Sequence, residues 1–312
     1  CVQWTQRANT ILNIYYDTIY SGGLDPAANF PVERYIKIHQ SLKDRDHQSL
    51  IRWKTPRLAS SEEIMLAHDE TYVQRFLNDD LSKSEIRRIG LSPWKKEMIE
   101  RTMRLTGGSL GALNSVLDGD LFAANLGGGT HHAFRSEGSG YCIFNDLAIC
   151  AEVALRRDTI SRILILDLDV HQGDGTAEIF KDDHRVFTVS LHGKRNFPFK
   201  KATSDWDVEF EKGADDDDYL SSLDGVLNRL KRERFDLIFF QAGVDTLAMD
   251  HLGTLALSRS GMRIRNQKII QWRRAMGCPM VIFMGGGYSR PIEHTVEAFC
   301  DLFIDFAKEF WN

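Results

Sequence analysis

Ile163-Leu164-Ile165-Leu166-Asp167-Leu168-Asp169-Val170-His171 is the stretch on which the fold turns. Its four leading aliphatic residues read as a buried strand, and the run is far too short to span a membrane. It ends in polar residues at every second position. Side chains alternate along an extended strand, so Asp167, Asp169 and His171 project on one face. A single polar residue at a strand exit is ordinarily nothing more. Three in alternation at the end of a buried strand must be hydrogen-bonded or coordinate something, because a buried carboxylate without a partner is costly. The Asp169-x-His171 step offers a carboxylate and an imidazole together. A third oxygen ligand from another strand end would complete an open, three-ligand metal site of the kind that supports hydrolysis.

Short apolar runs of this kind recur from about residue 121 onward, separated by segments with apolar residues three and four apart. Strands are predicted over 121–126, 162–169, 186–191, 236–241 and 280–284, and helices over 145–157, 175–180, 216–233, 258–275 and 291–310. The alternation predicts an α/β fold with a mostly parallel central sheet flanked by helices and a ligand crevice at the carboxyl ends of the strands. Upstream, a strand is expected over 11–16 and helices over 32–42, 61–68 and 70–78. Ser61-Glu62-Glu63-Ile64 resembles a helix start. A longer helical pattern, 93–117, carries Gly107, Gly108 and Gly111. Each glycine costs about 1 kcal/mol relative to alanine unless close packing requires it, so this helix is expected to press against the sheet. The run Asp215–Asp218 reads as a solvated helix start. No repeat or Pro/Gly/Ser linker interrupts the chain, which reads as one domain over 1–312.

With 43% hydrophobic and 27% charged residues among 312, the composition is that of a folded globular chain. The net charge of −5 gives no electrostatic reason for direct nucleic-acid binding. No apolar run is long enough for a membrane span. The five cysteines, Cys1, Cys142, Cys150, Cys278 and Cys300, are odd in number and form no CxxC pair. They suit a reducing intracellular compartment, the cytoplasm being the expected one. The chain begins Cys1-Val2-Gln3-Trp4 without a methionine, which leaves a removed targeting segment open. Oligomeric state is not legible.

Three further segments fall at predicted strand exits. Gly127-Gly128-Gly129-Thr130-His131-His132 brings two imidazoles after glycines that allow close backbone approach. Asp167 and Asp174 are the acids expected to hold these imidazoles and fix their tautomers. Ala242-Gly243-Val244-Asp245 offers a carboxylate that serves either as a helix N-cap or as the third ligand. Gly285-Gly286-Gly287-Tyr288 offers a phenol that is either a core aromatic or a hydrogen-bond donor to a developing oxyanion.

Five segments in order, 126–133, Gly140-Tyr141-Cys142-Ile143-Phe144-Asn145-Asp146, 167–175, 242–245 and 285–288, resemble the zinc-dependent histone deacetylase family over nearly the whole chain. Within it the chain is most similar to the class IV branch and its bacterial relatives. His171-Gln172, the run Asp250–Ser258 and Arg195-Asn196-Phe197-Pro198-Phe199 carry that likeness. The resemblance implies an arginase-like α/β fold and a zinc ion, or ferrous iron in its place, held by Asp169, His171 and Asp245. It implies catalytic roles for His131 and His132, backed by Asp167 and Asp174, and an oxyanion donor in Tyr288. It further implies a substrate tunnel with Gly140, Tyr141 and Phe197 in its walls and Leu252 near the rim. Tyr141 stands where the family usually has phenylalanine, which adds polarity there. A structural potassium is implied near Asp167, Asp169, His171, Ser190 and Leu191. The implied substrate is an acyl-lysine protein or peptide, with acetyl or long fatty acyl chains, or else a small acylated amine such as an acylpolyamine. A binding module that keeps the pocket without turnover is a further reading.

Overall fold

The computed structural model describes residues 11–22, 24 and 30–309. Eight strands form one sheet: β1 (Leu12–Tyr15), β2 (Ile51–Lys54), β3 (Phe122–Asn125), β4 (Ile163–Asp167), β5 (Val186–Gly193), β6 (Trp206–Phe210), β7 (Leu237–Gln241) and β8 (Met280–Phe283). Their order is β2-β1-β3-β8-β7-β4-β5-β6, and every pairing is parallel. The chain leaves β3 for β4, runs outward through β5 and β6, and returns through β7 and β8 to fill the gap beside β3. Because the strands are parallel, their carboxyl ends all face one edge. The register makes the edge level: Asp167 lies opposite both Ser190 and Gln241, and Gln241 opposite Phe283. The segments that follow β3, β8, β7 and β4 therefore emerge side by side.

The helices are α1 (Arg34–Arg45), α2 (Ser61–Ile64), α3 (Glu70–Leu77), α4 (Lys83–Ile89), α5 (Glu97–Leu117), α6 (Asp146–Ala154), α7 (Asp174–Phe180), α8 (Asp216–Leu230), α9 (Arg259–Met276) and α10 (Glu293–Lys308). Helix α5 packs on β1, β3 and β8, while α8, α9, α10 and α1 lie against one another in that order. Strand alternation separates the two layers. Gly108 of α5 lies against Asn125 of β3, whereas Phe122, three residues earlier and so on the other face, meets Phe306 of α10 edge to face. All five residues of β4 and of β7 are buried, as a sheet covered on both faces requires.

The apolar pattern located the central strands, and the structure adds what it missed. Strands β2 and β6 lie at the two edges and carry charged residues, Arg52 and Lys54 in one and Asp207 and Glu209 in the other, so neither has an apolar run. Helix α4 is short, with only Ile89 buried. The expected helix over 61–68 stops at Ile64, after a capping box between Ser60 and Glu63. Asp215 caps α8, accepting from the N–H groups of Asp217 and Asp218. Cys1 and Phe310 lie outside the described residues. No helix among them is long and apolar enough to cross a membrane.

The glycines of α5 are where the helix meets its neighbours. A Cβ on Gly107 would stand 1.8 Å from the Arg57 carbonyl oxygen, and one on Gly111 would stand 2.4 Å from the Tyr15 ring. Gly225 of α8 has nothing within 4 Å of that position. Gly107→Ala is expected to destabilise by about 1–3 kcal/mol through overpacking. Gly225→Ala is expected to stabilise by about 0.5–1 kcal/mol. Urea denaturation of both variants checks the opposite signs; equal effects would show that α5 is not pressed against the Arg57–Ala59 segment.

Candidate metal centre and catalytic pocket

Strand β4 delivers its polar residues to the carboxyl edge. The Asp169 N–H donates to Asp167 Oδ1 at 3.1 Å, and the His171 N–H donates to Asp169 Oδ1 at 3.0 Å. From the end of β7 comes Asp245, which caps no helix: its Oδ1 accepts from the Val170 N–H at 2.9 Å. One ligand atom from each of Asp169, His171 and Asp245 lies within 4.8 Å of the others. His171 Nδ1 stands 3.0 Å from Asp169 Oδ1 and 3.2 Å from Asp245 Oδ2. All three residues are buried.

Glycine makes room for this trio. A Cβ on Gly286 would fall 1.9 Å from Asp245 Oδ2, and one on Gly243 would fall 2.3 Å from Asp169 Oδ2. Instead the Gly286 N–H donates to Asp169 Oδ2 at 2.7 Å. Asp245 Oδ2 is buried with no hydrogen-bond partner among the described residues.

Two histidines flank the trio. His131 Nδ1 lies 2.7 Å from Asp167 Oδ2 and His132 Nδ1 lies 2.6 Å from Asp174 Oδ1, so each imidazole keeps Nε2 for other work. Their rings are 4.1 Å apart. The loop that carries them is tied down by Asp146, whose carboxylate accepts from the N–H groups of Gly129 and Thr130, and by Gln241, which donates to the Gly129 carbonyl. Gly128 and Gly129 adopt φ of 73° and 76°, a conformation that favours glycine.

The charges follow from this packing. Burial opposes protonation of His171, but Asp169 and Asp245 outweigh it and raise its pKa to about 10. Burial, then the Asp169 charge, lifts Asp245 to about 7. Burial likewise opposes charge on His131, yet Asp167 and Asp169 raise it to about 9. His132 goes the other way: burial and the neighbouring His131 charge lower it to about 4 despite Asp174. Among the protein's own charges the counterion of Asp169 and Asp245 is thus a proton on His171. A divalent cation would displace that proton, since imidazole binds metal only when neutral. Two carboxylate oxygens, one of them buried without a hydrogen-bond partner among the described residues, and one imidazole nitrogen are a donor set that fits zinc or ferrous iron.

Tyr288 follows β8 and lines the same pocket as His131, His132, Asp169 and His171. Its N–H donates to Asp250 Oδ2 at 2.6 Å, and its ring lies 6.0 Å from that of Tyr141. Gly140, Tyr141, Phe197 and Leu252 line the outer cavity with His132 and Tyr288, and the Phe197 ring meets His132 edge to face at 4.9 Å. Ser190 sits beside Asp167 in register on β5, with Leu191 next to it. Sequence reasoning gave no role in the site to Arg34, Asp250, Arg265 or His68. Buried Arg34 donates to the Gly287 carbonyl at 3.1 Å and lies 5.3 Å from the centre of the Tyr288 ring. Fully buried Arg265 donates to the Gly243 carbonyl at 2.7 Å, behind Asp245. Both arginines are ordinary residues in a helical pattern, and only the tertiary contact reveals their use.

Residues 29–302 match the model of the histone deacetylase domain. The chain belongs to the histone deacetylase family. It is 39% identical to an uncharacterized protein of Picosynechococcus over 91% of this chain and 94% of that one. It is 31% identical to histone deacetylase 2 of Arabidopsis thaliana over 75% of this chain and 63% of that one. A 154-residue stretch is 40% identical to the acetoin utilization protein AcuC of Bacillus subtilis, covering 46% of this chain and 40% of that one. The crystal structure of the HDA15 HD domain superposes with a TM-score of 0.81 at 19% identity, over 96% of this chain and 90% of that one, and shows the shared arginase/deacetylase fold. The chain is a hydrolase of the deacetylase family, in which zinc dependence is the known trait.

His68 gives the site a support that titrates. Its Nε2 accepts from the Asn145 N–H at 2.8 Å, leaving Nδ1 to donate to the Arg135 carbonyl at 3.2 Å. Asn145 in turn donates to the Ala133 carbonyl at 3.1 Å and so holds the histidine loop. Burial lowers the His68 pKa to about 4. The folded state binds the neutral ring, so this contribution is whole above the unfolded pKa of about 6.5 and is lost as pH falls towards 4. Wild type is expected to lose stability more steeply over that window than His68→Gln, measured by urea denaturation at several pH values. Parallel curves would remove the neutral ring's role.

Proposed function

We propose that this chain hydrolyses the amide between an acyl group and the side-chain amine of lysine in a protein or peptide, the acyl group being acetyl or a long fatty chain. The observation that carries the reading is the convergence of the Asp169, His171 and Asp245 trio, the paired His131 and His132, and Tyr288 on one pocket. Asp169, His171 and Asp245 would hold the cation, zinc by family habit and ferrous iron by the same donor chemistry. When bound, such a cation polarises the amide carbonyl and lowers the pKa of water.

The remaining steps belong to the side chains. His132, with Nδ1 fixed by Asp174 and a ring kept neutral by burial, takes the proton of the attacking water at Nε2 and returns it to the departing lysine amine. His131, paired with Asp167, keeps a positive charge next to that transfer. The Tyr288 hydroxyl donates to the oxyanion as it develops. Tyr141 and Phe197 flank the lysine stem and exclude water, with Gly140 between them and Leu252 at the rim. A structural potassium at Asp167, Asp169, His171, Ser190 and Leu191 belongs to the same reading, supported by the adjacency of β4 and β5 there. The buried thiols of Cys142, Cys150, Cys278 and Cys300 suit a reducing, cytoplasmic setting.

The acylpolyamine reading needs carboxylates at the entrance to receive a polycation. Among the described residues none lines the outer cavity, which favours the lysine substrate. Paired peptides carrying acetyl-lysine or myristoyl-lysine test the proposal with the metal-loaded protein. Tyr288→Phe is expected to keep its metal and lose about 10²–10³-fold in kcat. Asp169→Ala is expected to lose most bound metal and activity while circular dichroism shows the fold retained. Parent-like turnover in the first, or parent-like metal content in the second, would contradict the assigned role.

A further inference from the structure

Among the described residues, the entrance to the pocket carries charge of one sign. A cleft of about 380 Å³ opens above His132, His171 and Tyr288, and among the described residues its charged lining apart from those histidines is Arg88 and Arg195. The backbone beneath each arginine is held in place. The Gly140 N–H donates to the Arg88 carbonyl at 3.3 Å and the Tyr141 N–H to the Ile89 carbonyl at 2.7 Å, which ties the end of α4 to the tunnel wall. Beside Arg195, Asn196 donates to the Leu252 carbonyl at 2.8 Å and accepts from the Thr254 hydroxyl at 2.5 Å, fixing the loop against the opposite rim.

Their charge is only partly spent. Arg88 pairs with Glu137, which does not line the cleft, while Arg195 makes no ion pair among the described residues. Nearby Lys194 is taken by Glu211, and the Lys201 ammonium donates to the Asn196 and Pro198 carbonyls. The acid closest in sequence to the rim, Asp250, is buried and accepts from the N–H groups of Tyr288, Leu252 and Gly253. Phe199, 89% exposed, presents an aromatic face on the same rim. A low-dielectric cleft lined by one sign of charge raises the local concentration of the opposite sign and turns away its own.

We propose that this entrance selects acyl-lysine whose neighbourhood is anionic, and disfavours basic segments and polyamines. The inference rests on the lysine deacylase reading and sharpens its substrate class. The anion has two possible sources that share one chemistry: a Glu or Asp side chain flanking the acyl-lysine in a peptide, or the free α-carboxylate of a single acyl-lysine.

The test uses matched acyl-lysine peptides flanked by Glu, Gln or Lys, together with free Nε-acetyl-lysine and its α-amide, compared by kcat/KM at low salt and at about 0.5 M salt, where exposed charges are screened. Glu-flanked peptide is expected to exceed Lys-flanked peptide by about tenfold at low salt, with Gln between them and the gap closing at high salt. Arg195→Glu is expected to reverse the order. A preference confined to free acetyl-lysine over its amide would name the α-carboxylate as the source. Equal kcat/KM across all arms, or a preference for Lys flanks, overturns the inference while leaving the reaction intact. If nothing turns over, the reaction itself fails. The same peptides, fluorescently labelled, then decide charge selection by direct binding: tighter Glu-flanked binding supports it and equal binding overturns it.

Discussion

Several ionisable groups are buried together at the carboxyl edge of this sheet, and the rest of the pocket is arranged around keeping them there. Asp167, Asp169, Asp245, His131 and His171 are all buried within two neighbouring strand ends and the loop that faces them. Burial of unpaired charge is prohibitive, so each carboxylate has a hydrogen-bond donor: His131 and the Asp169 N–H for Asp167, the His171 and Gly286 N–H groups for Asp169, and the Val170 N–H at Oδ1 of Asp245. What these leave over is one acceptor oxygen and a negative excess, the electrostatic outline of a divalent cation. The glycines at 243 and 286 exist in this outline because a Cβ at either would occupy the space of a ligand carboxylate. Behind it, Arg265 and Arg34 turn the strand-exit carbonyls of Gly243 and Gly287 into bonded acceptors and hold those turns in place.

This arrangement was legible in the chain to the extent that local pattern encodes it. Period-two alternation after Ile163–Leu166 put Asp167, Asp169 and His171 on a face, and the strand-exit glycine runs marked the three other segments that meet them. The parallel sheet followed from the spacing of apolar runs. Where the pattern failed, packing had replaced it. The edge strands β2 and β6 need only one covered side and carry charges that keep their open edges from pairing elsewhere, so no apolar run announces them. The choice between helix cap and ligand for Asp245 could not be made from Ala242-Gly243-Val244-Asp245, because the same residues serve both ends. No helix starts at Asp245; its Oδ1 instead accepts from the N–H of Val170, 75 residues away in sequence, a contact that no local pattern shows. His68, Arg34 and Asp250 stayed hidden for the same reason, each being defined by partners that are remote in the chain or specific to a turn.

The outer part of the pocket obeys a looser rule than the inner part. Around the trio every carboxylate oxygen but Asp245 Oδ2 is matched over distances near 3 Å, which fixes one chemistry. At the rim, Phe199 and Arg195 face solvent on a loop whose backbone is held through Asn196 while its side chains are free to meet a substrate. The division matches a scaffold that keeps the reaction constant and lets the entrance set the choice of substrate.

The central claim is that Asp169, His171 and Asp245 are the ligands of a divalent cation. X-ray absorption of the protein loaded with one equivalent of zinc tests it most directly. The expected result is a shell of oxygen and nitrogen neighbours at about 2.0–2.2 Å with the outer-shell scattering of a single imidazole and no sulfur, lost together with tight binding in His171→Ala. A sulfur shell, scattering from several imidazoles, or an unchanged spectrum in that variant would place the metal elsewhere and contradict the account.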